Sequence, residues 1–279
     1  MKQIKVTVLG SGCAWGTPKP GCECRTCLSG ETRTRFGLLV DGTEKILVDA
    51  GPDFKQQMLR EGFCRNELDA LLLTHYHYDH ISGIGEFRSW REAPLPVYST
   101  QDVLNVTFHE NWYRHLVREG FLELKPVQRF HPFTVGGTKI TAIEVDHGFP
   151  INGWVLESNG KKVAVMTDSR NNYRKESLAL VKGCNLLIAD SWVAREEEAR
   201  KAVHEVWGKG KPLSEFEWTG SVSLSHSLLP QAKELGERVG AKLTVAVHLT
   251  HTVAPQKELE EEFNSEKFLV GFDSMKIRV

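Results

Sequence analysis

The stretch that most limits what this chain can become is Thr74-His75-Tyr76-His77-Tyr78-Asp79-His80, set directly behind the apolar run Leu71-Leu72-Leu73. A short apolar run without alternation reads as a buried strand, so His75, His77, Asp79 and His80 are delivered together at one strand end. Imidazole nitrogen and carboxylate oxygen suit Zn, Mn, Fe or Ni. The chain must then supply further ligands and a scaffold that brings them to the same place.

Three other apolar strands end in the same way. Residues 139–145 lead to Asp146-His147, residues 162–166 to Thr167-Asp168, and residues 243–247 to His248. A lone histidine at any of these positions would ordinarily be structural. Several strand-terminal ligands repeated along the chain point instead to one sheet edge that gathers a metal site, as strand ends do in α/β folds. His109 and His115, by contrast, lie in amphipathic segments read as one or two helices over 102–118, with no cysteine nearby, and read as ordinary positions.

The remaining pattern sets the scaffold. Hairpins are expected at 36–50 around Asp41-Gly42, at 133–145 around Gly136-Gly137 and at 154–166 around Asn159-Gly160. Helices are expected at 53–61, ending at Gly62, at 194–206, where Glu196-Glu197-Glu198 reads as a solvated face, and at 228–239. Strand-led hairpins interleaved with helices predict an α/β fold, a four-layer αββα sandwich of two mixed β-sheets flanked by helices. With 279 residues and 41% hydrophobic content the chain reads as one domain over 1–279. A net charge of −1 gives no global attraction to nucleic acid or to an anionic membrane. The chain enters a strand pattern at once, with no apolar leader and no membrane-length run, so a soluble cytoplasmic protein is the expectation. Gly10, Gly12 and Gly16 miss the dinucleotide-loop spacing, and Thr17-Pro18 follows where a helix should open.

From these residues a two-metal centre can be assembled. His75, His77 and His147 would hold one ion, Asp79, His80 and His248 the second, and Asp168 would bridge them at the roughly 3.5–4 Å spacing of such sites. Two divalent cations activate water near neutral pH, so the expected reaction is hydrolysis, with Asp79 counted among the catalytic groups and Arg170 or a lysine of the 192–222 stretch balancing substrate charge. Asp49, at another strand end, either caps the next turn or orients a metal-binding histidine.

The ligand set resembles the metallo-β-lactamase superfamily. Within it, Gly10-Ser11-Gly12, Gly16-Thr17-Pro18 and Gly21-Cys22-Glu23-Cys24-Arg25-Thr26-Cys27 are similar to the amino-terminal signature of the phosphoribosyl cyclic phosphate phosphodiesterases (PhnP type) of the carbon-phosphorus lyase pathway. That resemblance implies a structural zinc on Cys22, Cys24, Cys27 and His251, a closed tetrahedral set that adds folding energy. It also implies that His226 assists cleavage of a small cyclic ribose phosphodiester by giving a proton to the leaving oxygen. Cys13, Cys64 and Cys184 read as small core residues. The alternatives are an RNA 3′-processing phosphodiesterase, a thioesterase, a di-iron redox protein, and a pyrroloquinoline quinone biosynthesis protein, whose branch carries a degraded histidine motif. Residues 192–222, rich in Trp and Lys, are the expected insertion, either a lid or a homodimer contact.

Overall fold

Fourteen strands run through the computed structural model, which describes residues 3–88, 93–110, 112–207 and 225–279. In chain order they are β1 (Lys5–Gly10), β2 (Gly37–Asp41), β3 (Lys45–Val48), β4 (Ala70–Leu72), β5 (Leu95–Ser99), β6 (Leu122–Pro126), β7 (Pro132–Val135), β8 (Thr138–Asp146), β9 (Pro150–Ser158), β10 (Lys161–Met166), β11 (Leu186–Asp190), β12 (Leu243–Val247), β13 (Phe268–Val270) and β14 (Met275–Arg278). They form two seven-stranded sheets, ordered β14-β1-β2-β3-β4-β5-β6 and β13-β12-β11-β10-β9-β8-β7. Each sheet is mixed: β3 to β6 and β10 to β13 pair in parallel, and the hairpin halves pair antiparallel.

Side-chain alternation explains why the strands read as nearly unbroken apolar runs. Leu38, Val40, Ile46 and Val48 on one sheet meet Val163, Val165, Val245 and Val247 on the other. The intervening Leu39, Leu47 and Leu71 face outward into helices, as do Ala164, Met166 and Ala246 on the second sheet. The central strands are buried on both faces while β6, β7 and β14 are only partly covered, and each core Val or Leu contributes about 1.5–3 kcal/mol relative to exposure. Three stacked apolar layers therefore hold the αββα sandwich together, in agreement with the expected fold class.

The helices are α1 (Arg25–Leu28), α2 (Phe54–Glu61), α3 (Tyr78–Ile81), α4 (Gln101–Thr107), α5 (Arg114–Arg118), α6 (Lys175–Val181), α7 (Glu196–Trp207), α8 (Leu229–Val239) and α9 (Gln256–Phe263). In α2 the i, i+4 pair Phe54 and Met58 is buried, and Gly62 closes the helix in the left-handed region with its N–H on Met58 O. The one or two helices expected over 102–118 are two, α4 and α5, and His109 lies between them rather than in either. Cys64 is exposed beyond the end of α2, not in the core, whereas Cys13 and Cys184 are buried. Within the expected insertion, 192–207 is described and 208–222, with Lys209, Lys211 and Trp218, lies outside the described residues. Among the described residues no helix is long and apolar enough to cross a membrane.

What matters for function is direction. β4 in one sheet and β8, β10, β11 and β12 in the other all release their chain into one cluster of polar side chains, with His75, His147, Asp168, Asp190 and His248 at or just past their ends.

Candidate metal centre

The histidine motif is fixed from beneath. Asp49, fully buried past β3, accepts hydrogen bonds from Thr74 N–H at 2.8 Å and Thr74 Oγ1 at 2.7 Å, and lies 2.7 Å from His80 Nδ1. Of the two roles open for Asp49, this contact is the orienting one: it commits Nδ1 and aims His80 Nε2 at the cluster. The motif then packs tightly on the neighbouring loop, since a Cβ at Gly51 would meet Asp79 O at 2.0 Å and one at Gly83 would meet Gly51 O at 2.1 Å.

Two adjoining groups able to hold a metal ion result: His75, His77 and His147, and Asp79, His80, Asp168 and His248, with ligand atoms in each group within 4.8 Å of one another. Asp168 touches both. Its Oδ1 lies 4.0 Å from His75 Nε2, 4.0 Å from His147 Nε2 and 3.2 Å from His248 Nε2, while its Oδ2 is 3.2 Å from His80 Nε2. Asp49, Asp168 and His248 have φ of 59°, 54° and 72°. Left-handed backbone at non-glycine residues costs of order 1–3 kcal/mol each and is retained where the site requires a particular side-chain direction.

The two groups differ in charge. Burial and neighbouring imidazoles keep His75 well below its ordinary pKa, and burial with His226 nearby pulls His147 down to about 3. In the other group burial opposes charge but is overcome: Asp168, Asp79 and Asp49 hold His80 well above its usual range, and Asp168 and Asp79 raise His248. Buried His75 Nε2 and His80 Nε2 have no hydrogen-bond partner of their own. Convergent, orphaned imidazole nitrogens around two carboxylates fit divalent metal binding.

Beside the cluster sits His226. Its ring stacks on His248 at 4.7 Å and 16°, meets His147 edge-on at 4.8 Å, and lies 5.6 Å from Trp192. Asp190, at the end of β11, organises this side: Oδ1 is 3.1 Å from His226 Nδ1 and accepts Asp168 N–H at 3.0 Å, while Oδ2 accepts Ser227 N–H at 2.7 Å. Opposite, Phe149 stacks on Tyr76 at 5.5 Å and packs 5.7 Å from His147. Arg170 lies by the turn after β8, with Nη2 2.9 Å from where a Gly148 Cβ would stand.

A second group lies past His248. Cys22, Cys24, Cys27 and His251 gather their ligand atoms within 4.8 Å, with His251 Nδ1 at 3.4 Å from Cys22 Sγ and 3.6 Å from Cys24 Sγ. Backbone N–H groups of Cys24, Cys27 and Lys19 donate to the three sulfurs at 3.3–3.4 Å, an arrangement that favours thiolates. Burial and the neighbouring cysteines push Cys27 up to about 12, so a cation must compensate before its sulfur ionises.

The profile of the beta-lactamase superfamily domain matches residues 44–249. The chain belongs to that superfamily. Among solved structures it is similar to a diphosphatase from the PhnP family, with a TM-score of 0.79, 26% identity and coverage of 99% of this chain and 97% of that one. The Zn²⁺-bound PqqB of Methylobacterium extorquens also has a TM-score of 0.79, at 19% identity over 99% and 100% of the two chains, a likeness of fold. Among curated proteins, an octanoyltransferase of Porphyromonas gingivalis is 29% identical over 287 residues, covering 98% of this chain. The chain spans about half (51%) of that relative's length.

Within this superfamily scaffold, His75, His77, Asp79, His80, His147, Asp168 and His248 all fall in the His/Asp cluster, Asp49 lies beneath it, and Cys22, Cys24, Cys27 and His251 form the other group. His109 and His115 are in neither. Asp190 is the functional side chain that sequence reasoning passed over. The signal was present, a polar residue closing the apolar strand 186–190, but Asp49 alone was weighed as an orienting group at such a position, and the others were weighed as ligands.

Proposed function

We propose that this superfamily member is a metal-dependent hydrolase that cleaves a small phosphodiester, with a cyclic ribose phosphate as the candidate class. The observation that carries the reading is the His226–Asp190 pair set against a cluster whose other imidazoles point at shared carboxylates. A metallohydrolase acting on a good leaving group has little need of a proton donor, whereas expulsion of an alkoxide from a phosphodiester needs one. The similarity to a PhnP-family diphosphatase at 26% identity supports hydrolysis at phosphorus, the coarser part of this reading.

When bound, two divalent cations supply Lewis acidity toward a phosphoryl oxygen and lower the pKa of water. His75, His77 and His147 would hold one, Asp79, His80 and His248 the other, with Asp168 between. The residues do the rest. Asp190 Oδ1 accepts the hydrogen bond of His226 Nδ1–H, which leaves Nε2–H to give its proton to the departing oxygen. Asp190 also holds the backbone of Asp168, so the proton donor and the bridging carboxylate are set by one buried group. Tyr76 and Phe149 stack on each other beside His77 and His147 and give the cluster an aromatic flank. Cys22, Cys24, Cys27 and His251 would hold a structural zinc, and Arg170 remains a candidate for substrate charge.

The test is His226→Ala with turnover and metal content measured together. Loss of turnover with metal retained supports the proton donor; loss of metal makes His226 a ligand, a role its closeness to His147 and Asp168 also permits. A second reading, hydrolysis or transfer of an acyl thioester, draws on the octanoyltransferase relative. Turnover of an acyl thioester with none of bis-p-nitrophenyl phosphate or a cyclic phosphate would favour it.

A further inference from the structure

His251 is fully buried, and both ring nitrogens stand near polar side chains, Nε2 without an aligned hydrogen bond. Nδ1 faces Cys22 and Cys24, and Nε2 lies 3.2 Å from Glu205 Oε2. Glu205 belongs to the last turn of α7, far from the cysteine loop in sequence. Its side chain is 30% exposed and is paired with Lys19 through that same oxygen. Lys19 returns to the cysteines: its backbone N–H donates to Cys27 Sγ at 3.3 Å, and its Nζ sits 4.6 Å from the Trp15 ring centroid. Trp15 in turn packs 5.4 Å from His251. The circuit from Cys27 through Lys19, Glu205 and His251 to Cys22 and Cys24 is closed.

Glu205 is also misplaced by the ordinary rules of helices. A carboxylate in a last turn opposes the helix dipole, where a cation is favoured, and Lys19 supplies that cation from outside. The helix already docks through Ala199, Ala202 and Val203, which are buried, so Glu205 is not required to seat it. A carboxylate kept there against the dipole, with its oxygen on a buried imidazole nitrogen, matches the outer partner that metal-ligating histidines use to fix their tautomer and raise their basicity.

We infer that Glu205 is the outer-sphere carboxylate of the cysteine/histidine metal centre, and that metal binding there and docking of the last turn of α7 stabilise each other. The inference rests on reading the cysteine cluster as a metal centre. With Nδ1 on the metal, Nε2 carries the proton and Glu205 accepts it. Linkage then requires reciprocity: a cation on the thiolates tightens α7, and a docked α7 tightens the cation.

Cobalt separates this centre from the His/Asp cluster, because only thiolate ligation gives an intense near-ultraviolet charge-transfer band. In the full-length protein, titration with Co²⁺ followed by Zn²⁺ competition should show Glu205→Ala weakened about 10–100-fold at the thiolate centre. Glu205→Gln, which keeps an acceptor oxygen, should fall between it and the unaltered protein, and metal uptake at the His/Asp cluster should not change. Amide exchange in the last turn of α7 should quicken when a chelator strips the thiolate centre, and should be insensitive to the metal in Glu205→Ala. Equal affinities, within twofold, in a folded Glu205→Ala protein would overturn the inference alone. Absence of any charge-transfer band in the unaltered protein would overturn both it and the metal-centre reading beneath it.

Discussion

The two ligand clusters lie a few residues apart in sequence, at His248 and His251, yet they are built on opposite principles. The His/Asp cluster collects side chains from the ends of β4, β8, β10 and β12, so its geometry is set by two sheets and their packing. The cysteine cluster takes three of its four members from one loop and closes on a single imidazole. Hard and intermediate ligands around a shared carboxylate leave positions for water and substrate, whereas three thiolates and an imidazole fill a tetrahedron. The difference teaches where to look for chemistry and where for stability: a change in the first should be read in turnover, a change in the second in folding.

The most severe break should come from Asp168→Ala. Asp168 is within 4.0 Å of four cluster histidines, and its loss should empty or disorder both catalytic positions. Turnover should drop on the order of 10³-fold or more, since Lewis-acid stabilisation is worth several kcal/mol; two tightly bound catalytic metals in the variant would refute the bridge. His226→Ala should cost about 10²–10⁴-fold in kcat with metal retained. Asp190→Asn, which keeps the shape and removes the charge that aligns His226, should cost roughly 10–100-fold, the range typical of outer-sphere partners. An Asp190→Asn enzyme with unaltered kcat would leave the proton donor without its orienting group.

A weaker effect should separate the halves of the His/Asp cluster by pH. His147 is neutral above about 3, so an ion in the imidazole half displaces no proton there near neutrality. His80 and His248 have raised pKa values, and ligation must expel their protons, so affinity in the carboxylate half rises with pH. Lowering the pH from about 8 to about 6 should therefore release the carboxylate-half ion first. The metal-free fold runs the other way: raised histidine pKa values contribute stability below the unfolded value of about 6.5, lost as pH rises through the folded values. Calorimetric metal titration at several pH values checks the first statement, and melting of the stripped protein checks the second.

The smallest change in chemistry should come from Cys24→Ala. Loss of about 3 kcal/mol, ordinary for a removed metal tether, would lower Tm by roughly 6–12 °C, with kcat of the folded fraction within about twofold of normal. Unchanged stability with impaired turnover would invert the comparison between the two clusters.

Much of the site was legible because its ligands obey one rule, polar residues closing buried strands, and the fold was legible because both faces of those strands are apolar. What escaped did so for physical reasons. Asp190 obeys the same rule but works through hydrogen bonds rather than as a ligand. Short β6 and β13 flank their sheets, at or next to the edge, where only part of each strand is buried and the pattern is faint. Cys64 has no periodic signal to mark it as exposed. Glu205 sits in a helix so charged that its acidic residues read as a solvated face, and only its packing against His251 distinguishes it.

The central claim is that the His/Asp cluster is a two-metal phosphodiesterase centre, and stepwise reconstitution tests it most directly. Protein stripped of its catalytic ions but retaining the thiolate-bound metal is titrated with Mn²⁺, Zn²⁺, Fe²⁺ or Ni²⁺ while hydrolysis of bis-p-nitrophenyl phosphate and a ribose cyclic phosphate is followed. The account predicts that, with at least one of these metals, turnover rises to a plateau at two added equivalents and is lost in Asp168→Ala. No phosphodiester turnover with any of them, in protein shown to have taken up both equivalents, would contradict it.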